Sequence, residues 1–245
     1  MDKVQFKNSR GINLTGVFHE TDDPVAAVVM VHGFTSHKES RGKFVKMGEL
    51  LSSKGILAFR YDAGGSGESE SAPVTVENYV DDLMSAIKLV KEKGINNIGL
   101  LGSSLGGLCA IRAYDKSMTA MVLWAPVTMA QTPQILDSSK MRKKITEQGF
   151  ITINKRDRDF TIPKKYLVER ETLRHKELLS RVKCPTLIIH GTEDLSIPLK
   201  HSKWAMKFLT PKSELKAIKG ADHYFTDHGD EIVSLSLNWF KKYLQ

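Results

Sequence analysis

An α/β fold is what this 245-residue sequence predicts: a mostly parallel central sheet with helices on both faces and a small inserted cap. Two observations carry that prediction. Short β-branched or apolar runs alternate with segments of helical period along most of the chain, the pattern of a sheet built by strand-helix-strand crossovers. The rhythm breaks once, for nearly 60 residues between Pro126 and Pro185, which is too long for an ordinary crossover and calls for extra structure. A chain of this length buries roughly 70 to 75% of its unfolded surface, enough for a sizeable apolar core.

The strands read in order as "LTGVF" from Leu14, "AAVVMVH" from Ala26, "GILAFRYD" from Gly55, "NIGLLG" from Asn97, "AMVLWAP" from Ala120, "PTLIIHG" from Pro185 and "ELKAIKG" from Glu214. Each is short and β-branched or apolar. Helices are expected from about Gly42 to Lys54 and from Val76 to Lys93, where Val76, Tyr79, Val80, Leu83, Ile87 and Val90 make one apolar stripe. Others follow Ser104, Leu199 and Gly229. Within the break, "QGFITINKRDRDFTIPKKYLVERETL" reads as a short strand or hairpin followed by a helix that starts near Pro163. With no internal repeat and no second nucleus of strands, residues 1–245 are expected to form one domain with a cap inserted at about 127–181.

Composition narrows the function. The formal net charge of +8 sits in one block: Lys140 to Lys183 holds 14 Lys or Arg against 6 Asp or Glu, and the rest of the chain is neutral. The block mixes signs, as in "KRDRDF", and carries no aromatic-interleaved motif, so it reads as a solvated helical face and not as a nucleic-acid surface. Cys109 and Cys184 have neither disulfide density nor zinc spacing, and no HExxH or EF-hand pattern implies a metal. Neither an apolar leader in "MDKVQFKNSRGINLTG" nor a run of 18 apolar residues is present, so a soluble, cytoplasmic protein without stable membrane insertion is expected. A homodimer stays open.

Chemistry enters at "GLLGSSLGGL", Gly99 to Leu108. Gly102, Ser104 and Gly106 satisfy G-x-S-x-G where an apolar strand ends and a helix begins, the context of a nucleophile elbow. The register selects Ser104, since Ser103 lacks glycines two positions away on both sides. A serine hydroxyl is a weak nucleophile and needs a base, and the base needs an acid to orient it. His223, in "KGADHYF", follows the last strand, and Asp194, in "HGTEDLSIP", follows the strand before it. Both therefore stand at C-terminal strand ends, where open α/β sheets place their ligands. Glu193 and Asp222 compete for the acid role, and His190 and His228 for the base. Gly64, Gly65 and Gly67 fit no phosphate-binding spacing and read as a tight turn.

The order Ser104, Asp194, His223 resembles the triad of the α/β-hydrolase superfamily. "HGF" at His32 to Phe34 resembles its oxyanion-hole motif, "YDAGGSGES" its glycine-rich loop and "GTEDLSIP" its acid loop. The resemblance implies an α/β-hydrolase fold and a serine hydrolase, a carboxylesterase that needs no cofactor. It assigns Ser104, His223 and Asp194 to catalysis, the backbone N–H groups of Phe34 and Leu105 to the oxyanion, and a structural role to His32. The cap is most similar to the cinnamoyl and feruloyl esterase-like branch, which implies a small-molecule ester substrate with a short-to-medium acyl or aryl group. Monoacylglycerol lipase-like and S33 peptidase-like members are the alternatives, as is a non-catalytic binding protein of the same fold. The cap should wall the pocket, with Phe150 and Phe160 as candidate lining residues and Lys143, Lys144, Lys164 and Lys165 as candidate steering charges.

Overall fold

The computed structural model describes residues 2–155 and 157–245. In chain order its elements are β1 (Asp2–Lys7), β2 (Asn13–His19), β3 (Ala26–Val31), α1 (Lys43–Ser52), β4 (Ile56–Tyr61), α2 (Val76–Lys91), β5 (Ile98–Ser103), α3 (Leu105–Ala113) and β6 (Met118–Trp124). There follow α4 (Ser139–Gln148), β7 (Phe150–Lys155), β8 (Arg158–Pro163), α5 (Lys164–Thr172), α6 (His175–Arg181), β9 (Thr186–Gly191), α7 (Lys200–Ala205), β10 (Glu214–Ile218) and α8 (Gly229–Leu244). Among the described residues, eight strands form one sheet in the order β1-β2-β4-β3-β5-β6-β9-β10, while β7 and β8 pair separately as an antiparallel hairpin. β2 is antiparallel to β1 and to β4, and the remaining neighbours are parallel.

β3 is buried at all six positions, as a central parallel strand must be when crossover helices cover both its faces. Its side chains alternate between two cores. Ala27, Val29 and Val31 pack with Tyr79, Leu83 and Val90 of α2 and Leu108 of α3. Ala26, Val28 and Met30 pack with Phe44 and Met47 of α1 and Ile232 and Phe240 of α8. Each fully buried large apolar side chain contributes roughly 1.5 to 3 kcal/mol, so the sheet is held from both sides. α2 starts where Thr75 Oγ1 accepts the Asn78 N–H at 2.9 Å, with Glu77 in its first turn and Lys88 and Lys91 in its last, the charge order that suits a helix dipole.

Three elements were not foreseen, among them α6, a seven-residue helix beyond the expected cap helix. β1 is a sheet edge with only Val4 and Phe6 turned inward, too little apolar alternation to register as a strand. α4 fully buries Ile145 alone, with Met141 one turn earlier partly buried against the core and polar residues elsewhere, so its apolar stripe is only two residues long. The helix expected near Pro163 is α5, with Pro163 as its N-cap residue.

The segment between β6 and β9 is fastened to the glycine-rich loop and to α2. Val74 N donates to Thr161 O at 2.9 Å, and the Glu169 carboxylate accepts the N–H groups of Val76 at 2.7 Å and Glu77 at 3.3 Å. The Arg158 guanidinium donates to the carbonyls of Gly67 and Ser69. The glycine-rich loop is itself a satisfied turn, with Gly64 N donating to Asp82 Oδ2 at 2.8 Å and Glu68 N to Asp62 Oδ2 at 2.9 Å. Among the described residues no helix is long and apolar enough to cross a membrane.

Candidate active site

Ser104 is the single residue between β5 and α3, with φ 54° and ψ −114°. A non-glycine side chain there is strained, and the surroundings must hold it. Ser104 N donates to Trp124 O at 2.8 Å, and Ser104 O accepts Gly107 N at 3.0 Å and Val127 N at 3.2 Å. The turn is so tight that a Cβ on Gly102 would lie 2.5 Å from Gly106 O, and one on Gly106 would lie 2.2 Å from Val31 O. Backbone carbonyls cannot retreat from such contacts, so glycine is required on either side of Ser104. Ser103 remains the last residue of β5.

The loops after β9 and β10 bring the other two residues to this turn. His223 Nε2 lies 3.1 Å from Ser104 Oγ, and His223 Nδ1 donates to Asp194 Oδ2 at 2.7 Å. Asp194 Oδ1 accepts the N–H groups of Ser196 at 2.8 Å and Ile197 at 2.7 Å, which fixes the carboxylate in its turn. Burial alone would raise its pKa; hydrogen bonds from His190, His223 and the Ile197 amide, with the nearby His223 ring, hold it well below the usual carboxylate range. Of the competitors, Glu193 is exposed and Asp222 is occupied with Thr226, accepting its N–H at 2.8 Å and its hydroxyl at 2.7 Å. His228 caps α8, where its Nδ1 lies 3.1 Å from Glu231 Oε2.

His190 carries more of the site than its sequence suggested. Its Nε2 lies 3.2 Å from Asp194 Oδ2 and 2.8 Å from Ile197 O, and its Nδ1 lies 2.7 Å from Ser202 Oγ. Asp194 Oδ2 is thus flanked by two imidazoles. The available signal was spacing, since His190 closes a strand four residues before the acid. His32 does not join the group: its Nδ1 donates to Gly33 O at 2.9 Å and its Nε2 accepts Ala63 N at 3.0 Å, so both nitrogens are spent on backbone.

Phe34 and Leu105 line the same pocket as Ser104. Leu105 opens α3, where an N–H has no intrahelical partner, and among the described residues no backbone acceptor is found for the Phe34 amide. The Phe34 ring stacks on Tyr166 of α5 at 5.3 Å between centroids. Its loop is locked further along by Lys38, which is buried: Lys38 N donates to Asp62 Oδ1 at 2.7 Å, and the ammonium donates to Asp62 Oδ2 at 2.8 Å and Glu68 Oε2 at 2.5 Å. Burial opposes the ammonium charge, but the two carboxylates hold its pKa above the ordinary lysine value.

The pocket over Ser104 has a volume of about 240 Å³. On one side stand Phe34, Arg41, Lys43 and Tyr224, with the Arg41 guanidinium 4.0 Å above the Tyr224 ring. On the other, the segment after β6 supplies Gln131, Pro133, Ile135, Lys155 and Arg170. Phe150, Phe160, Lys143, Lys144, Lys164 and Lys165 do not line it. Phe160 is buried in the core, and Phe150 and the four lysines are exposed. The cations that do line it were invisible as a group, because only folding brings Arg41 and Lys43 opposite Arg170. Among the described residues no cluster of three or more His, Cys, Asp or Glu side chains could hold a metal ion.

This sheet order, with a strained serine between glycines at the β5–α3 turn, defines a protein of the α/β-hydrolase fold. Residues 22–161 match the family model described as serine aminopeptidase, S33, and the chain belongs to that family of hydrolases. It is 26% identical over 239 residues to a monoglyceride lipase homolog of Monkeypox virus, covering 85% of each chain. Ferulic acid-bound Est1E from Butyrivibrio proteoclasticus superposes with a TM-score of 0.84 at 20% identity, over 98% of this chain and 99% of that one. A monoacylglycerol lipase from Paleococcus ferrophilus gives a TM-score of 0.76 at 21% identity, over 94% and 98%.

Proposed function

We propose that the protein is a serine carboxylic-ester hydrolase that works through an acyl-enzyme on Ser104. The observation that carries the proposal is the continuous hydrogen-bond series from Ser104 Oγ through His223 to Asp194, set at the floor of the pocket. In this reading the neutral His223 accepts the serine proton at Nε2 while Oγ attacks the acyl carbonyl. Asp194 keeps the Nδ1 proton in place and stabilises the imidazolium that forms. The N–H groups of Phe34 and Leu105 take the developing oxyanion. His223 then protonates the departing alkoxide, and the same ring draws a proton from the water that releases the acid. Residues 127–181 act as a cap, whose Gln131, Ile135 and Arg170 form one wall of the pocket.

Two observations favour an ester over a peptide with a free N-terminus. An aminopeptidase must hold an α-ammonium group, yet the described lining residues include no Asp or Glu and four cations, Arg41, Lys43, Lys155 and Arg170. A volume of about 240 Å³ also suits a short-to-medium acyl or aryl group. The test is covalent labelling by a fluorophosphonate together with turnover of p-nitrophenyl esters of increasing acyl length, methyl ferulate and an aminoacyl anilide. Labelling at Ser104 with preferred ester turnover is expected. Preferred anilide turnover, or no labelling, would overturn the proposal.

A further inference from the structure

Arg170 is 3% exposed, yet no carboxylate among the described residues pairs with it. Its Nη1 donates to Tyr166 Oη at 3.1 Å and its Nη2 to Gln131 O at 2.7 Å, both neutral acceptors. Nε is buried and has no acceptor at all. The acids next to it in sequence are spent elsewhere, Glu169 on the N-terminus of α2 and Glu171 on Arg142 at 3.4 Å. A buried guanidinium without a counter-charge is costly to keep, and folds normally pair it or leave it in water. This one lines the pocket over Ser104.

We infer that Arg170 anchors a carboxylate on the substrate, so that the preferred ester carries a negative charge away from the bond that is cut. The inference rests on the ester-hydrolase reading and names its substrate class. Three features make the carboxylate the fitting group. The guanidinium offers one positive charge and an unused Nε–H, which matches a monoanion that accepts charge-assisted hydrogen bonds. Gln131 and Tyr166 hold the other edge of the guanidinium, so the donor is oriented before the ligand arrives. Tyr166 also stacks on Phe34, which ties the anchor to the loop beside Ser104. Among the described lining residues Arg41 and Lys43 add positive charge and none is an acid, so the wall favours an anion.

A bridging water is the competing account. Gln131 Nε2 donates to Ser196 O at 2.8 Å, which leaves the buried Gln131 Oε1 without a donor; a water between it and Arg170 Nε would satisfy both without any substrate. The two accounts separate on matched esters, 4-nitrophenyl hydrogen glutarate and its neutral methyl ester. Wild type is expected to favour the anionic ester in kcat/KM. Arg170→Gln and Arg170→Met should each lower that preference, read as the ratio of the two kcat/KM values, at least tenfold, and Arg170→Lys should restore part of it. An unchanged preference, or both esters falling together, would overturn the inference and leave Arg170 a positioning residue for the cap.

Calorimetry keeps the question decidable if the variants fail to fold. The Ser104→Ala protein should bind methyl hydrogen glutarate and not dimethyl glutarate. Equal binding, or none, would also overturn the inference. If wild type hydrolyses neither ester, the ester-hydrolase reading is lost, and calorimetry still decides the anion site.

Discussion

Asp194→Asn changes one oxygen to nitrogen and leaves the side-chain shape alone, so its effect is chemical. The structure dictates which oxygen is replaced. Oδ1 accepts two backbone N–H groups, from Ser196 at 2.8 Å and Ile197 at 2.7 Å, and an amide NH2 turned toward them would face two donors. The amide therefore keeps its oxygen there and points its NH2 at His223 Nδ1, 2.7 Å from the replaced atom. A donor in that place forces Nδ1 to accept, which puts the ring proton on Nε2, facing Ser104 Oγ at 3.1 Å. That tautomer cannot take the serine proton, and the imidazolium of the transition state loses its counter-charge as well. A loss of about 10⁴ in kcat is expected, or about 5.4 kcal/mol at 1.36 kcal/mol per decade. The assay is turnover of p-nitrophenyl acetate alongside thermal unfolding. A folded variant that keeps more than roughly a tenth of wild-type kcat would refute the tautomer argument.

Ser104→Ala should reduce ester turnover by several orders of magnitude, while Ser103→Ala keeps a substantial fraction, because only Ser104 occupies the strained turn; kcat of both folded proteins decides it, and the reverse result would move the nucleophile. The pKa of Asp194 is depressed in the folded state, so its charge stabilises the fold fully above the unfolded value of about 3.9 and ceases to do so as pH falls through the lower folded value. Chemical denaturation of wild type and Asp194→Ala should accordingly show a stability gap that narrows below about pH 4; a widening gap would contradict the sign. Burial raises the thiol pKa of Cys109 well above normal and that of Cys184 to about 11, so neither should react with a disulfide reagent at pH 8 until the protein unfolds. Stoichiometric labelling of the native protein would show that one of them is reached by solvent.

What could be read from the sequence was whatever steric or solvent demands write locally. Gly102 and Gly106 stand where a Cβ would strike a carbonyl, so the turn left its mark in the residues themselves. β3, β5 and β9 are buried on both faces and show as near-continuous apolar runs. β1 and α4 left no such mark, being an exposed edge and a helix with one buried side chain. The pocket cations were illegible for another reason. Arg170 shares its helical face with Tyr166 and Leu167 and resembles any other charge in a basic segment until the fold shows that it is buried and unpaired. His190 touching Asp194 likewise depends on how the loop after β9 folds back onto its own strand, which spacing alone only hints at.

The fastening of the segment between β6 and β9 bears on how substrate would come and go if that segment is the proposed cap. Val74 N on Thr161 O, the Glu169 carboxylate on the first turn of α2 and Arg158 on the glycine-rich loop tie the hairpin and α5 to the core at three separate points. In the proposed cap these ties oppose a swinging movement of the hairpin and α5, and Ile135 and Tyr224, both exposed, line the pocket at its mouth. On the proposed function, esters would then arrive one dissolved molecule at a time. Turnover of a sparingly soluble ester should follow its monomer concentration and level off where droplets form, in contrast to an enzyme whose cover is lifted by an oil–water interface.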